Sequence, residues 1–398
     1  MTAASLDGIV VLDLGQIYNG PYATFLLAAS GARVIKVESL TGEALRGRGD
    51  TSSAAYPFAM LNQNKESISL DLKSDKGRAL FESLVQQADV VLENFSPDTM
   101  QNLGLDAETL RKINPRLIYA AGSGYGRSGQ HRDYLAMDIT VQAMSGIMSC
   151  TGTDELPPLK AGVALCDFFG GIHLYGAIVT ALFKRERSGE GSVLDVAMQD
   201  AVLPSLATVF GAYYYGGRQP QERTGNRHPA LTMAPYNVYP AKDGHLAIIC
   251  IRDGHWRALV KAMQRPDLLA DESLATMAAR AERMEMVDAM VSAWTAPQEK
   301  AVALARLQEF GVPSSIVRNV EEVLQDDHLH ERGMLRWVDH PVLGEIALPA
   351  SPLNVGQGGE VPLTLAPELG EHTDSVLSDL LNLDPESLNQ LHSEGIIK

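Results

Sequence analysis

The chain has 398 residues, 45% hydrophobic and 21% charged, a globular composition that excludes an extended disordered protein. Its formal net charge of −16 argues against general binding to nucleic acid or to an anionic membrane surface, while leaving room for a local basic pocket. Three cysteines, Cys150, Cys166 and Cys250, lack metal-like spacing and an even count, which points to reduced thiols and no metal site.

The opening residues, MTAASLDGIVVLDLG, lack the basic segment and long apolar run of a signal peptide. No uncharged apolar run reaches the roughly 18 residues of a spanning helix, so a soluble, cytoplasmic protein is expected. GIVVLDLG then reads as a strand ending in glycine, PYATFLLAASG as a helix closed by Gly31, and ARVIKVE as a second strand. KGRALFESLVQQ has helical spacing, ADVVLENF reads as a third strand, and AETLRKIN with RLIYAAGSGYG repeats the theme. Near-continuous apolar strands alternating with helices predict a parallel, doubly wound sheet. Ligands of such sheets lie outside the carboxyl ends of the strands, here the turns GQIYNG, ENFSP and GSGYGRSG and the region after VIKVE.

Further along, CDFFGGIHLYGAIVTALFKRERSGEG reads as a long buried helix stopped by basic residues and glycine. SVLDVAMQDAVLPSLATVFGAYYYGG supplies a strand and a helix, and RQPQERTGNRHPALTMAPYNVYPAKDG reads as a linker. Beyond it, HLAIICI and VPSSIV read as strands around several helices, and HTDSVLSDLLNL as a final helix. A core of this size outgrows one domain. The expected organisation is residues 1–220 as the N-terminal part of a large domain, 221–325 as a small domain with linkers, and 326–398 as a segment returning to the large domain.

Several motifs fall away on their chemistry. GQIYNGPY lacks the Lys-Ser/Thr pair of a P-loop and is not GxGxxG. His173, His228, His255 and His330 form no dense ligand set, with His228 and His330 in segments that read as loops. GSGYGRSG is not the GxSxG elbow of a serine hydrolase. Cys166, among apolar neighbours and beside a carboxylate, reads as an inert core thiol.

Asp167 is the residue that needs a reason. It stands in VALCDFFGGIH with no Lys or Arg beside it, and an unpaired carboxylate is costly to bury. As a favoured capping residue it fits the N-cap of the long helix. The helix terminus would also hold it ionised and able to attack, and would offer backbone N–H groups to a developing oxyanion. Gly170 and Gly171 would admit a ligand closely. Capping and catalysis are compatible.

Taken together, VLDLGQIYNGPYATFLLAASGARVIKVE, NKESISLDLKSDKGR, ADVVLENFSPDTMQNLGL, NPRLIYAAGSGYG and AGVALCDFFGGIHLYGAIVTALFKRERSGEGSVLDVAMQDAVL resemble the class III CoA-transferases. This is the CaiB/BaiF family, which includes formyl-CoA transferase, and RTGNRHP, APYNVY and APELGEHTDSVL continue the match over essentially the whole chain. The resemblance implies a Rossmann-like large domain with a parallel sheet, a smaller α/β domain and an interlocked homodimer. It also implies transfer of coenzyme A from an acyl-CoA donor to a carboxylic acid acceptor, with CoA as substrate and no permanently bound cofactor. The nucleophilic aspartate of the family falls on Asp167, and its CoA-contacting positions on Ile17, Tyr18, Asn19, Leu72, Lys73, Asn94 and Phe95, with Arg46 and Asp138 also matching. Lys73 and Arg46 would meet the CoA phosphates or lie on a solvated surface, Asn94 could be a satisfied turn residue, and Phe95 a core residue.

Departures from formyl-CoA transferase bear on the substrate. Tyr18 stands where that enzyme has Gln, and Ser39 where it has Arg. The Gly-rich loop of its second domain is missing, since VGQGGEV lies in the wrong place. These changes point away from the oxalate–formate pair and toward a larger carboxylic acid such as a dicarboxylate. The alternative of an α-methylacyl-CoA racemase needs a second acid/base, and its His before the aspartate is Met137 here. A CoA-binding protein without turnover is the other alternative, against which the intact Asp167 argues.

Overall fold

A computed structural model of the chain describes residues 4–46, 52–219, 223–353 and 361–398, with the side chains of 52–54 left aside. Most of the VGQGGEV stretch and residues 220–222 of the expected linker lie outside the described residues. The chain forms two compact units, one of Met1–Ser145, Gly162–Pro204 and Asp327–Lys398, the other of Gly146–Ala161 and Ser205–Asp326.

The first unit is built on six strands: β1 (Val10–Asp13), β2 (Arg33–Glu38), β3 (Lys65–Ser69), β4 (Val90–Glu93), β5 (Ile118–Ser123) and β6 (Ser192–Ala197). They pair in parallel in the order β3-β2-β1-β4-β5-β6. The predicted parallel α/β sheet is therefore present. The order reverses between β1 and β4, the switch point at which such sheets open a ligand crevice.

Between the strands run α1 (Asn19–Ala29), α2 (Ser52–Leu61), α3 (Asp75–Gln87), α4 (Thr99–Asn102), α5 (Ala107–Ile113), α6 (Asp138–Met144) and α7 (Leu165–Ser188). Side chains alternate across the pleat and both faces are covered. Leu12, Ile35 and Val91 pack on one side with Phe81, Leu84 and Leu110. Val11, Val34, Leu92 and Ile118 pack on the other with Leu27 of α1 and Leu174 and Ile178 of α7. Caps fix the helix ends: Ser74 accepts the N–H of Gly77 at 3.0 Å, and Gly189 ends α7 in the left-handed conformation at φ 74°.

Helix α7 has the length and composition of a membrane-crossing helix, with mean hydropathy 1.5 over its most apolar window. Leu174, Ile178 and Leu182 pack into the core on the same face of the sheet as α1, while Ile172 and Phe183 of the same helix stay exposed.

Several elements depart from the reading of the sequence, among them the strand Tyr236–Ala241, which lies in the segment read as a linker. Strand β3 and helix α2 were not expected. A further helix, Pro385–Ser393, follows Thr373–Leu381 and is capped by Asp384, which accepts the N–H of Ser387. His330 belongs to the short helix Asp327–Glu331 rather than to a loop. The last residues return to β3: His372 donates its N–H to the Ser67 carbonyl at 2.9 Å, and Ile397 bridges Leu70. Val376, Leu377, Leu388 and Ile397 join the core on that face.

The second unit carries an antiparallel three-stranded sheet, Tyr236–Ala241, Gly244–Ile249 and Ser314–Ile316, with the middle strand in the centre. Helices Asp253–Ala262, Met284–Thr295 and Lys300–Glu309 cover it around the buried Trp256, Leu259, Val287 and Leu307. Asp288 ties this unit together by accepting from Arg227, Asn237 and Tyr239 at 2.7–2.9 Å.

Candidate active site

The loop leaving β1 is fixed from below by buried charge. Asp13 accepts the N–H of Gly15 at 2.8 Å, the Thr24 hydroxyl at 2.7 Å and the Lys65 ammonium at 2.9 Å. Burial pushes the Asp13 carboxyl up, but Lys65, Lys36 and the Thr24 hydroxyl outweigh that and leave it below the usual range. Lys36, 1% exposed, donates to the Gly15 carbonyl at 2.9 Å and stands 3.2 Å from Glu43.

Glu43 in turn accepts the N–H of Ile17 at 2.9 Å. Ile17 has φ +63°, a left-handed conformation that a β-branched residue adopts only under constraint. Lys36 and Glu43 supply that constraint, one on each side of the bend. The loop then enters α1 at Tyr18, whose ring stacks on Phe168 with centroids 6.1 Å apart.

Asn94, just after β4, closes the switch point. Its amide oxygen accepts from the Gln16 N–H at 2.7 Å and its amide nitrogen donates to the Gln16 carbonyl at 2.9 Å. Asn19 occupies the floor, 4% exposed, and donates to the main-chain carbonyl of Asp167 at 3.3 Å. Its amide packs so closely on Gly122 and Gly170 that a methyl group on either would lie 2.4 Å or 2.1 Å from it. Glycine at these two positions is thus a requirement of close approach.

Asp167 does not cap α7. The N-cap is Ala164 and Asp167 is the third helical residue. The cap comes from Asp138, at the start of α6, whose Oδ1 accepts the N–H of Cys166 at 2.7 Å and that of Asp167 at 3.4 Å. Gln142 holds the other Asp138 oxygen at 2.5 Å. Two expectations fall with this geometry. The amides of Cys166 and Asp167 are occupied and are not an open oxyanion site, and the helix terminus does not hold Asp167 at an ordinary acidity. Burial, and next the charge of Asp138, push its carboxyl up to about 7. Burial with the same two carboxylates pushes the Cys166 thiol up to about 12.

These elements enclose a cavity of about 500 Å³. It is lined by the loop after β1 with the first residue of α1 (Gln16, Ile17, Asn19), the turn after β4 (Asn94–Pro97), the end of β5 and the residues after it (Gly122–Tyr125), the run Arg132 and Tyr134–Asp138, and Asp167 with Met198. Of the ten positions expected from the sequence, Ile17, Asn19, Asn94, Phe95, Asp138 and Asp167 meet here. Tyr18 stands behind them on Phe168.

Arg46, Leu72 and Lys73 do not line this cavity. Arg46 donates from Nε and Nη2 to Glu38 at 2.8 and 3.0 Å and lies over the Phe58 ring, so its charge is engaged within the protein. Leu72 packs on the core, while Lys73 is exposed beyond β3, at the sheet edge two strands from β1.

Lys36, Glu43, Gln142 and Arg132 were not singled out from the sequence. A signal for the first existed: a lysine inside the apolar strand VIKVE must have buried partners. Glu43 reaches Ile17, 26 residues upstream, while Gln142 and Arg132 make polar contacts of an ordinary kind to Asp138 and Asp133, which mark no site in the sequence.

The model of CoA-transferase family III matches residues 6–373. The chain is 38% identical over 386 residues to the succinyl-CoA:mesaconate CoA-transferase of Haloarcula hispanica, covering 94% of this chain and 96% of that one. It is 37% identical over 392 residues to the succinate–glutarate CoA-transferase of Agrobacterium fabrum, covering 95% and 96%. A CaiB/BaiF family protein from Brucella suis has the same fold, with a TM-score of 0.82, 34% identity, and coverage of 95% of this chain and all of that one. With these matches spanning both units and the cavity, the chain belongs to CoA-transferase family III, the CaiB/BaiF family.

Proposed function

We propose that the protein moves CoA from an acyl-CoA thioester to a carboxylic acid through covalent intermediates on Asp167. The observation that carries the reading is the Asp167 carboxylate lining a cavity at the sheet's switch point, beside the loops where the family resemblance puts CoA contacts. A carboxylate oxygen of Asp167 attacks the thioester carbonyl, the C–S bond breaks, and a mixed anhydride and CoA thiolate result. The thiolate attacks the aspartyl carbonyl, the anhydride C–O bond breaks, and the donor acid leaves as its carboxylate. The acceptor carboxylate then reverses both steps on the aspartyl thioester. One thioester is exchanged for another, so no ATP is consumed.

Ile17, Asn19, Asn94 and Phe95 hold the CoA arm in this reading. Lys73, exposed beyond β3, meets its phosphates in this reading with Leu72 beside it. Tyr18 acts from behind through Phe168. Asp138 serves the nucleophile rather than CoA. The racemase alternative gains nothing from the site, because the position it needs for a proton carrier, Met137, brings a thioether to the cavity.

The working form in this proposal is an interlocked homodimer. Large apolar side chains left exposed on one chain support it, among them Leu135 at 83%, Val163 at 66% and Tyr215 at 86%. Sedimentation at equilibrium tests it, and a monomer at micromolar concentration would overturn it.

The chemical test is intact-mass spectrometry after incubation with succinyl-CoA and no acceptor, with borohydride trapping. An adduct on Asp167, absent from Asp167→Ala, is expected. Failure to form one with a panel of acyl-CoAs, together with exchange of an α-proton for deuterium, would replace this reading with the racemase.

A further inference from the structure

The charge balance of the cavity is one-sided. Asp138 and Asp167 bring carboxylates to it, and among its described lining residues Arg132 is the sole lysine or arginine. The guanidinium is half-exposed, donates from Nε to Asp133 at 3.0 Å and stands 3.8 Å from Asp98, beyond hydrogen-bonding distance. Both partners are more than half exposed, so their hold on Arg132 is screened and weak. Among the described residues the two terminal nitrogens of the fork make no hydrogen bond, leaving unspent the edge that pairs bidentately with a carboxylate.

The remaining lining is largely apolar, from Ile17, Phe95, Leu135, Met137 and Met198. A methyl-ended acyl group would satisfy that wall and leave the terminal nitrogens of Arg132 without a hydrogen-bond acceptor among the described residues. An acyl group ending in a second carboxylate would satisfy both. The Arg132 charge would at the same time offset the repulsion that the two aspartates impose on such an acidic group.

We infer that Arg132 is a specificity-determining residue that binds the distal carboxylate of the acyl group, which makes dicarboxylic acids the substrate class of this cavity. The inference rests on the reading of the cavity as an acyl-CoA site. The two curated relatives described above, which are named for succinyl-CoA with mesaconate and for succinate with glutarate, are consistent with it.

Succinyl-CoA and butyryl-CoA, equal in chain length and differing by the terminal carboxylate, are the probes. The native chain should favour succinyl-CoA in kcat/KM. Arg132→Ala should lower that value about 10- to 100-fold while leaving butyryl-CoA within about two-fold, and Arg132→Lys should recover part of the loss. An equal loss for both donors would overturn the inference and assign Arg132 to the CoA phosphates or to its loop, as would no loss at all.

Calorimetric titration of free succinate and butyrate into the full chain keeps the two readings separable. A preference for succinate that Arg132→Ala abolishes upholds the carboxylate site even where no CoA exchange is seen, and then only the transfer reading fails. Equal binding of the two acids overturns the carboxylate site whatever the turnover.

Discussion

The carboxylate of Asp138 accepts the main-chain N–H of Asp167, 3.4 Å away, and so brings a second negative charge to the root of the proposed nucleophile. The arrangement makes Asp167 a stronger base than an exposed aspartate, and the acidity follows: its carboxyl is pushed up to about 7 by burial and then by Asp138. The first half-reaction needs the ionised form. Its kcat/KM should therefore rise with pH to a plateau above about 7. Asp138→Asn keeps an oxygen for the helix cap but removes the charge, and should shift the rise to lower pH. An unchanged profile in rapid-quench release of the donor acid would contradict the pairing.

Stability should carry the same signature. Between about pH 4, where an unfolded aspartate titrates, and about pH 7 the folded chain holds a proton on Asp167 that the unfolded chain has lost. Stability contributed by this group is complete below that window and declines as pH rises through it. Asp167→Asn should accordingly melt higher than the native chain at pH 8, with the difference vanishing near pH 4. Its transferase activity should fall at least about 10³-fold, as expected for loss of a nucleophile.

Glu43 tests the first loop. In Glu43→Gln the N–H of Ile17 keeps a neutral acceptor while Lys36 loses its ion-pair partner. The strained bend should loosen, raising KM for acyl-CoA about 10-fold with kcat little altered, since chemistry at Asp167 is untouched. Adding Ile17→Gly, which takes φ +63° without steric cost, should restore part of the affinity. Steady-state kinetics of the single and double variants decide it.

Lys65 tests the foundation. It is fully enclosed with Asp13, and four acceptors surround its ammonium: Asp13, Pro21, Thr24 and Asn62. Lys65→Met strands a buried carboxylate and should cost about 3–5 kcal/mol in urea denaturation. Adding Asp13→Asn should recover much of that loss.

Much of the architecture was legible because four parallel strands are apolar on both faces: VVLD, RVIKVE, VVLE and IYAAGS. Strand β3, KESIS, escaped notice since its buried side chains, Ile68 apart, are polar. Lys65 points to Asp13 and Ser67 to Glu38, a use that no apolar pattern announces. Asp167 was legible by contrast with its surroundings. Its role in the helix was not, because the residue that caps α7 comes from 28 positions upstream of Cys166. The partner of Arg46 was hidden for a similar reason: the residue type suits a phosphate, and only the fold shows that Glu38 pairs with it.

The final turns of the chain have a consequence for biosynthesis. Strand β3 is an edge, with backbone groups ready to pair with another polypeptide. Ser67 and Ser69 are engaged by His372 and Thr373, and Leu70 by Ile397, all about 300 residues later in the chain. On a ribosome, the sheet would have every strand in place while that edge still lay bare, until Ile397 emerged. A nascent chain stalled before residue 370 should therefore need a chaperone to keep it from pairing edge to edge with its neighbours on the same message.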